Sequence, residues 1–245
     1  MADYGHDPTE TSIPWKIFAD AGFECTFVTE RGTQPACDSR MLTGTVSAVL
    51  GAAEPAKAAY RTMSESPAFQ HPVAWGDPSF TLDKFDLVFL PGGHDKSIRQ
   101  ILDATRVHKL LADYFALTKK PSTKTLAAIC HGVQLLSAAT RPDGKSVLAD
   151  VTTTSLQYFQ EESIYAATRV FLGDYYKTYG AGTPSVEQII TSRLDNPSQF
   201  QKSLSFAPFV VEDRNYNYLS ARFPGDAELI ATKTVEAVRK ALAML

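Results

Sequence analysis

Two short apolar runs stand out along the chain: residues 86–90 (DLVFL) and 125–129 (TLAAI). Each is too short for a buried helix and each ends in turn residues. Pro91, Gly92 and Gly93 follow the first, and Cys130, His131 and Gly132 follow the second. Both therefore read as strands buried on two faces. Apolar residues recur at helical spacing elsewhere. Residues 13–21 predict a helix with Pro14 in its first turn and Gly22 as its C-terminal cap. Residues 54–63, 106–118, 133–139 and 156–173 predict further helices, and residues 226–242, free of Pro and Gly, a closing one. Residues 23–29 (FECTFVT), rich in β-branched and aromatic side chains, predict a strand. Residues 32–50 read as a loop leading to a short helix, and Pro67, Pro72 and Pro78 break the chain beyond residue 63. Residues 184–193 suit a short helix or strand, and 209–211 with 218–221 suit a late strand pair. Strands separated by helical patterns predict an α/β fold with a largely parallel sheet and helices on both faces. Residues 1–245 read as one domain, with insertions around 32–80 and 155–200.

Composition narrows the partners. Hydrophobic residues make up 44% and charged residues 21% of the 245, ordinary values for a globular chain. A formal net charge of −3 predicts no nucleic-acid or anionic-membrane surface. No apolar run reaches the roughly 18 residues of a membrane span, and the opening MADYGHDPTE is polar, unlike a signal or transit peptide. Three cysteines without metal-type spacing predict reduced thiols and a cytoplasmic location. Five histidines without metal spacing predict no metal site.

The chemistry concentrates at Cys130. A buried strand runs straight into a helix, and the junction residue carries a nucleophilic atom, which is the arrangement of a nucleophile elbow. Ala127, Ala128 and Gly132 supply the small neighbours such a turn needs. A helix N-terminus beside the thiol predicts a depressed pKa. Most free cysteines are inert core residues, and Cys25, within an apolar strand pattern, reads that way; Cys37 lies in a loop. Gly92 and Gly93 end the neighbouring strand and leave backbone N–H groups accessible, as an oxyanion hole requires. His94 follows them, and His6 lies in a loop expected to cross the same strand ends. His71 and His108 read as surface residues.

Three segments carry a resemblance. Glu10-Thr11-Ser12-Ile13-Pro14, Leu90-Pro91-Gly92-Gly93-His94 and Ala128-Ile129-Cys130-His131-Gly132 resemble the ThiJ/PfpI superfamily, and the GGH form and long insertions look most like its heat-inducible chaperone and glyoxalase III branch. Residues 217–226 (NYLSARFPGD) also resemble the close of fungal and bacterial members. The resemblance implies a flavodoxin-like three-layer sandwich, usually a homodimer, with a small-molecule aldehyde or other electrophile as substrate and no cofactor. It implies Cys130 as nucleophile and His131 as acid/base. Glu10 would be a protonated carboxyl hydrogen-bonded to the sulfur, and Glu161 the acidic partner of His131. Glu162 is an alternative, one residue and about 100° away on a helix. His94 would line the pocket.

Against that pattern, residues 1–5 look like the end of a strand that is normally longer, so about five residues of a central strand are expected to be missing. Such a loss would leave two unpaired edges; either the natural start lies upstream or the chain is a shortened, less stable form. The leading functional expectation is a glyoxalase III-like lyase or hydratase acting on 2-oxoaldehydes. A cysteine hydrolase or a specialised-metabolism enzyme is an alternative. The glutamine-amidotransferase variant fits poorly, because no histidine follows His131. A stress chaperone or redox sensor using the same cysteine is a third expectation.

Overall fold

The computed structural model describes residues 1–243. The chain opens with β1 (Tyr4–His6) and α1 (Pro8–Asp20), followed by β2 (Val28–Thr29), β3 (Ala36–Cys37), α2 (Gly44–Leu50), α3 (Glu54–Ser64), α4 (Pro67–Gln70) and β4 (Val73–Ala74). Then come β5 (Leu87–Leu90), α5 (Arg99–Leu102), α6 (Thr105–Leu117), β6 (Thr125–Ile129) and α7 (His131–Ala138). The remainder carries α8 (Tyr158–Leu172), α9 (Val186–Thr191), β7 (Val210–Glu212), β8 (Tyr218–Ala221) and α10 (Ala227–Leu242).

The main sheet runs β5-β6-β8-β7, with β5, β6 and β8 parallel and β7 antiparallel at the edge. Its register sets Leu90 opposite Ala128, and Ala128 opposite Ser220. All five residues of β6 are buried because the strand is covered on both faces. Leu126 and Ala128 pack with Leu111, Tyr114 and Leu136 on one side, whereas Ala127 and Ile129 pack with Leu219 and Ile230 on the other. A continuous apolar run without alternation is the sequence mark of that double burial. The result is the flavodoxin-like α/β sandwich, with the carboxyl ends of β5 and β6 side by side.

The first forty residues differ from expectation. Helix α1 begins at Pro8, five residues before the predicted start, because Asp7 Oδ1 accepts from Thr9 N (2.8 Å) and Glu10 N (2.9 Å) and Pro8 opens the first turn. Glu10 thereby becomes a helical residue, and Pro14 lies inside the helix. The strand expected over 23–29 shrinks to Val28–Thr29, paired in parallel with β4. Strand β1 pairs in parallel with β3, Tyr4 opposite Ala36 and His6 opposite Cys37. Among the described residues no strand pairs with the outer edge of β5. The opening segment reaches that region through Asp7 N–H, which donates to the Gly92 carbonyl at 3.0 Å. Leu87 and Phe89 are half-buried there against Phe18 and Phe23, with the Phe18 and Phe89 rings 5.4 Å apart.

Candidate active site

Cys130 occupies the N-cap of α7 with φ 56° and ψ −126°, and among the described residues it is the one non-glycine with positive φ. A left-handed conformation is unfavourable for a side chain with a Cβ and persists where surrounding structure over-determines it. Here the Cys130 N–H donates to the Ala221 carbonyl (3.1 Å) and the Cys130 carbonyl accepts from Val133 N (3.1 Å). The next turn of helix is pressed against β5, since a Cβ on Gly132 would sit 2.1 Å from the Leu90 carbonyl oxygen. The strand-to-helix turn expected at Cys130 is present.

Three chain segments meet at the sulfur. Cys130 Sγ lies 3.4 Å from His131 Nδ1. The Glu10 side chain, from the first turn of α1, lies beside the same sulfur and raises its pKa; its Oε2 accepts from Gly92 N at 3.0 Å, and its Oε1 is buried without a hydrogen-bond partner. Gly92 has no room for a side chain: a Cβ there would come within 2.7 Å of Glu10 Oε2 and 2.9 Å of Cys130 Cβ. Gly93, at φ 148°, passes equally close to the Gly5 carbonyl. The Gly92 N–H is therefore spent on Glu10, which corrects its expected part in an oxyanion hole. Its geometric role is to dock the carboxyl against the thiol.

Electrostatics also revise the expectation for the thiol. Burial, reinforced by Asp7, raises the Glu10 carboxyl well above the usual carboxylate range and so favours its protonated form. Burial first, and the nearby Glu10 second, push the Cys130 thiol up; the His131 backbone N–H only partly offsets them. The helix terminus does not win, and at rest the residue is a thiol beside a carboxylic acid. Burial, with help from His94 and Lys177, lowers His131 to about 3, so its imidazole is neutral.

The acidic partner expected for His131 is not where the sequence put it. Glu161 is buried in the first turn of α8, but its Oε1 accepts from Lys177 Nζ (3.0 Å) and its Oε2 from Val186 N (2.9 Å). Glu162 also binds Lys177. His131 Nε2 instead meets Thr178 Oγ1 at 3.0 Å. A buried lysine needs a countercharge more than a neutral imidazole does, and it takes both carboxylates.

His94 is at the site as expected. Its ring lies between Tyr175 and Tyr176, 4.6 and 4.5 Å away by centroid, and its Nε2 is 3.7 Å from Asp38 Oδ2. Asp38 in turn accepts from the Tyr175 hydroxyl. His6 is buried with neither ring nitrogen hydrogen-bonded, between Tyr60 and Phe69. His71 is exposed and His108 half-buried. Among the described residues no three His, Cys, Asp or Glu side chains form a metal-binding group, and no helix is long and apolar enough to cross a membrane. Sequence reasoning missed Asp7, Thr178, Lys177, Asp38 and the tyrosine pair; of these only Asp7 carried a local signal, an Asp-Pro step of the kind that opens a helix.

The three sequence segments that meet here were those that resembled the ThiJ/PfpI superfamily, and the comparison with known families agrees at that level. The ThiJ/PfpI family-like model matches residues 1–208. The chain belongs to the ThiJ/PfpI family. Within it, an uncharacterised protein of Schizosaccharomyces pombe is 32% identical over 244 residues, covering 99% of this chain and 83% of the relative. Solved ThiJ/PfpI-type folds superpose along nearly the whole chain. The Rapid Encystment Protein of Francisella tularensis gives a TM-score of 0.69 at 15% identity, covering 96% of both chains. Glyoxalase III of Candida albicans gives 0.67 at 16% identity, covering 95% of this chain and 88% of that one. At such identities the likeness is one of fold.

Proposed function

We propose that this ThiJ/PfpI chain is a cysteine-dependent enzyme that converts small 2-oxoaldehydes to 2-hydroxy acids, in the manner of a glyoxalase III. The observation that carries the reading is the 3.4 Å approach of a neutral imidazole nitrogen to a thiol held in a strained turn. As Sγ adds to the aldehyde carbon, its proton passes to His131 Nδ1 and onward to the carbonyl oxygen, giving a hemithioacetal. His131 then takes the proton from that carbon and returns it to the adjacent one, so that the hemithioacetal becomes a thioester of the 2-hydroxy acid. Water cleaves the thioester and restores the thiol. The protonated Glu10 carboxyl donates to sulfur throughout and stabilises charge there. The fold shared with the Candida albicans glyoxalase III supports the reading.

The test is turnover of methylglyoxal by the purified chain, with product lactate measured and the intact protein followed by mass spectrometry. Cys130→Ala is expected to abolish turnover and the covalent adduct; undiminished turnover would refute the proposal. A second reading, a holdase-type chaperone, is favoured by the exposed Phe159, Val170, Phe171, Leu204 and Phe206 side chains. It predicts suppression of client aggregation that survives Cys130→Ala.

A further inference from the structure

We propose that Thr178 is the positioning residue of His131: it fixes the imidazole in the Nε2–H tautomer and leaves Nδ1 as the base that faces Cys130. A threonine hydroxyl has one proton to give. Thr178 Oγ1 lies 2.8 Å from the main-chain carbonyl of His94, which can only accept, so the hydroxyl proton goes there. The 3.0 Å contact between the same Oγ1 and His131 Nε2 must then be donated by the imidazole. With Nε2 protonated and the ring neutral, the lone pair is on Nδ1, 3.4 Å from Sγ. The donors around the ring point the same way along the row: thiol to Nδ1, Nε2–H to Thr178, Thr178 to the His94 carbonyl.

The hydroxyl is held by its neighbours in sequence. Lys177 is buried and tied to Glu161 and Glu162, the Lys177 carbonyl accepts from Gly180 N at 2.9 Å, and the Tyr179 hydroxyl donates to Asp103 at 2.6 Å. Thr178 is 4% exposed, so water does not compete for its oxygen. The carboxylate that sequence assigned to the histidine thus acts one step away: Glu161 anchors the loop, and the loop presents a neutral hydroxyl. That difference has a chemical consequence. A carboxylate would stabilise an imidazolium and draw the thiol proton to His131 at rest. A hydroxyl orients the ring without doing so, and the thiolate forms only when an electrophile is in place.

The inference rests on the proposed nucleophilic role of Cys130 for its kinetic part, and its direct readout does not. In uniformly 15N-histidine-labelled protein at neutral pH, long-range proton–nitrogen correlation reports which ring nitrogen carries the proton, and His131→Gln assigns the signal. The wild type is expected to show Nε2 protonated and Nδ1 bare; an Nδ1–H tautomer overturns the proposal without any variant. Thr178→Val keeps the shape and removes the oxygen, and is expected to abolish the single tautomer. It should also lower kcat for methylglyoxal about 10–100-fold with KM little changed, the range for losing a group that orients a histidine. Thr178→Ser retains the hydroxyl and should restore both. A Thr178→Val protein with the Nε2–H tautomer intact overturns the assignment. If the wild type turns over no 2-oxoaldehyde, the nitrogen spectra still decide the tautomer, so failure of the reaction and failure of the positioning role are separable.

Discussion

At the scale of single residues, the site is an inventory of protons on buried groups. Glu10 and Cys130 both have raised pKa values; Glu10 adds to the rise at Cys130, whereas Cys130 partly offsets the burial-driven rise at Glu10. Raising the pH removes the Glu10 proton into a carboxylate that then opposes formation of the thiolate beside it. Glu10→Gln cannot acquire that charge. The alkylation of Cys130 by iodoacetamide is therefore expected to rise at lower pH in the variant than in the wild type, the two curves converging where Glu10 is protonated. Superimposable rate–pH curves would mean that the two side chains do not sense each other. Cys25 and Cys37, both pushed up to about 11, serve as internal controls in the peptide map. Gly92, Gly93 and Cys130 stood out in the sequence because each ends a short apolar strand in a distinctive turn, whereas Glu10, His94 and His131 were reached through the family resemblance. Thr178 was reached by neither. It is one ordinary hydroxyl in a loop 47 positions beyond its partner, and nothing local separates it from Thr183. Glu161 was named through the resemblance as the acid beside His131 and so given the wrong partner, because the sequence could not reveal that Lys177 is buried beside it.

At the scale of elements, the β6–α7 junction works because no side chain separates it from β5. Gly132 packs its Cα side against the Leu90 and Pro91 carbonyls, and a methyl group there would meet backbone rather than a movable side chain. Gly132→Ala is expected to cost about 1–3 kcal/mol of stability and to displace Cys130 from Glu10, with loss of turnover. Gly144→Ala is the control. Its φ of 81° is also unfavourable for alanine, yet nothing lies within 4 Å of the added Cβ. It should cost about 1–2 kcal/mol through conformation alone and leave Cys130 reactivity unchanged. Equal effects on reactivity in the two variants, followed by thiol titration and urea melts, would show that close packing at Gly132 is not what aims the sulfur. The central strands were legible because their apolar runs are short and continuous. The 23–29 strand was overcalled for a related reason: β-branched and aromatic content measures fitness for a sheet, whereas pairing needs a neighbour, and only Val28–Thr29 has one in β4.

At the scale of the whole molecule, the fold buries acids and imidazoles from sequence positions 6 to 131, and stability becomes linked to pH. Burial lowers His6 and His131 to about 3 and His94 to about 4, from 6.5. Between those values and 6.5 the folded chain binds fewer protons than the unfolded one, so stability rises with pH through the window and is lost on acidification below 6.5. Asp7, raised to about 6 from 3.8, acts with the opposite sign: the folded state binds more protons there, and its contribution declines as pH rises from 3.8 to 6. His6 allows the histidine part to be isolated, since neither ring nitrogen has a partner and the ring touches Tyr60 and Phe69 and not the sulfur. His6→Met is of similar volume and makes favourable sulfur–aromatic contacts. Relief of a buried unpaired polar group should stabilise the variant at pH 7.5 by about 1–3 kcal/mol. Below pH 6.5 the gain over the wild type should grow, because one group that must charge on unfolding has gone. Urea unfolding of both proteins at pH 7.5, 6 and 5 measures the two parts separately. A constant difference across the three pH values would show that His6 titrates alike in the folded and unfolded chains, and that its burial carries no proton linkage.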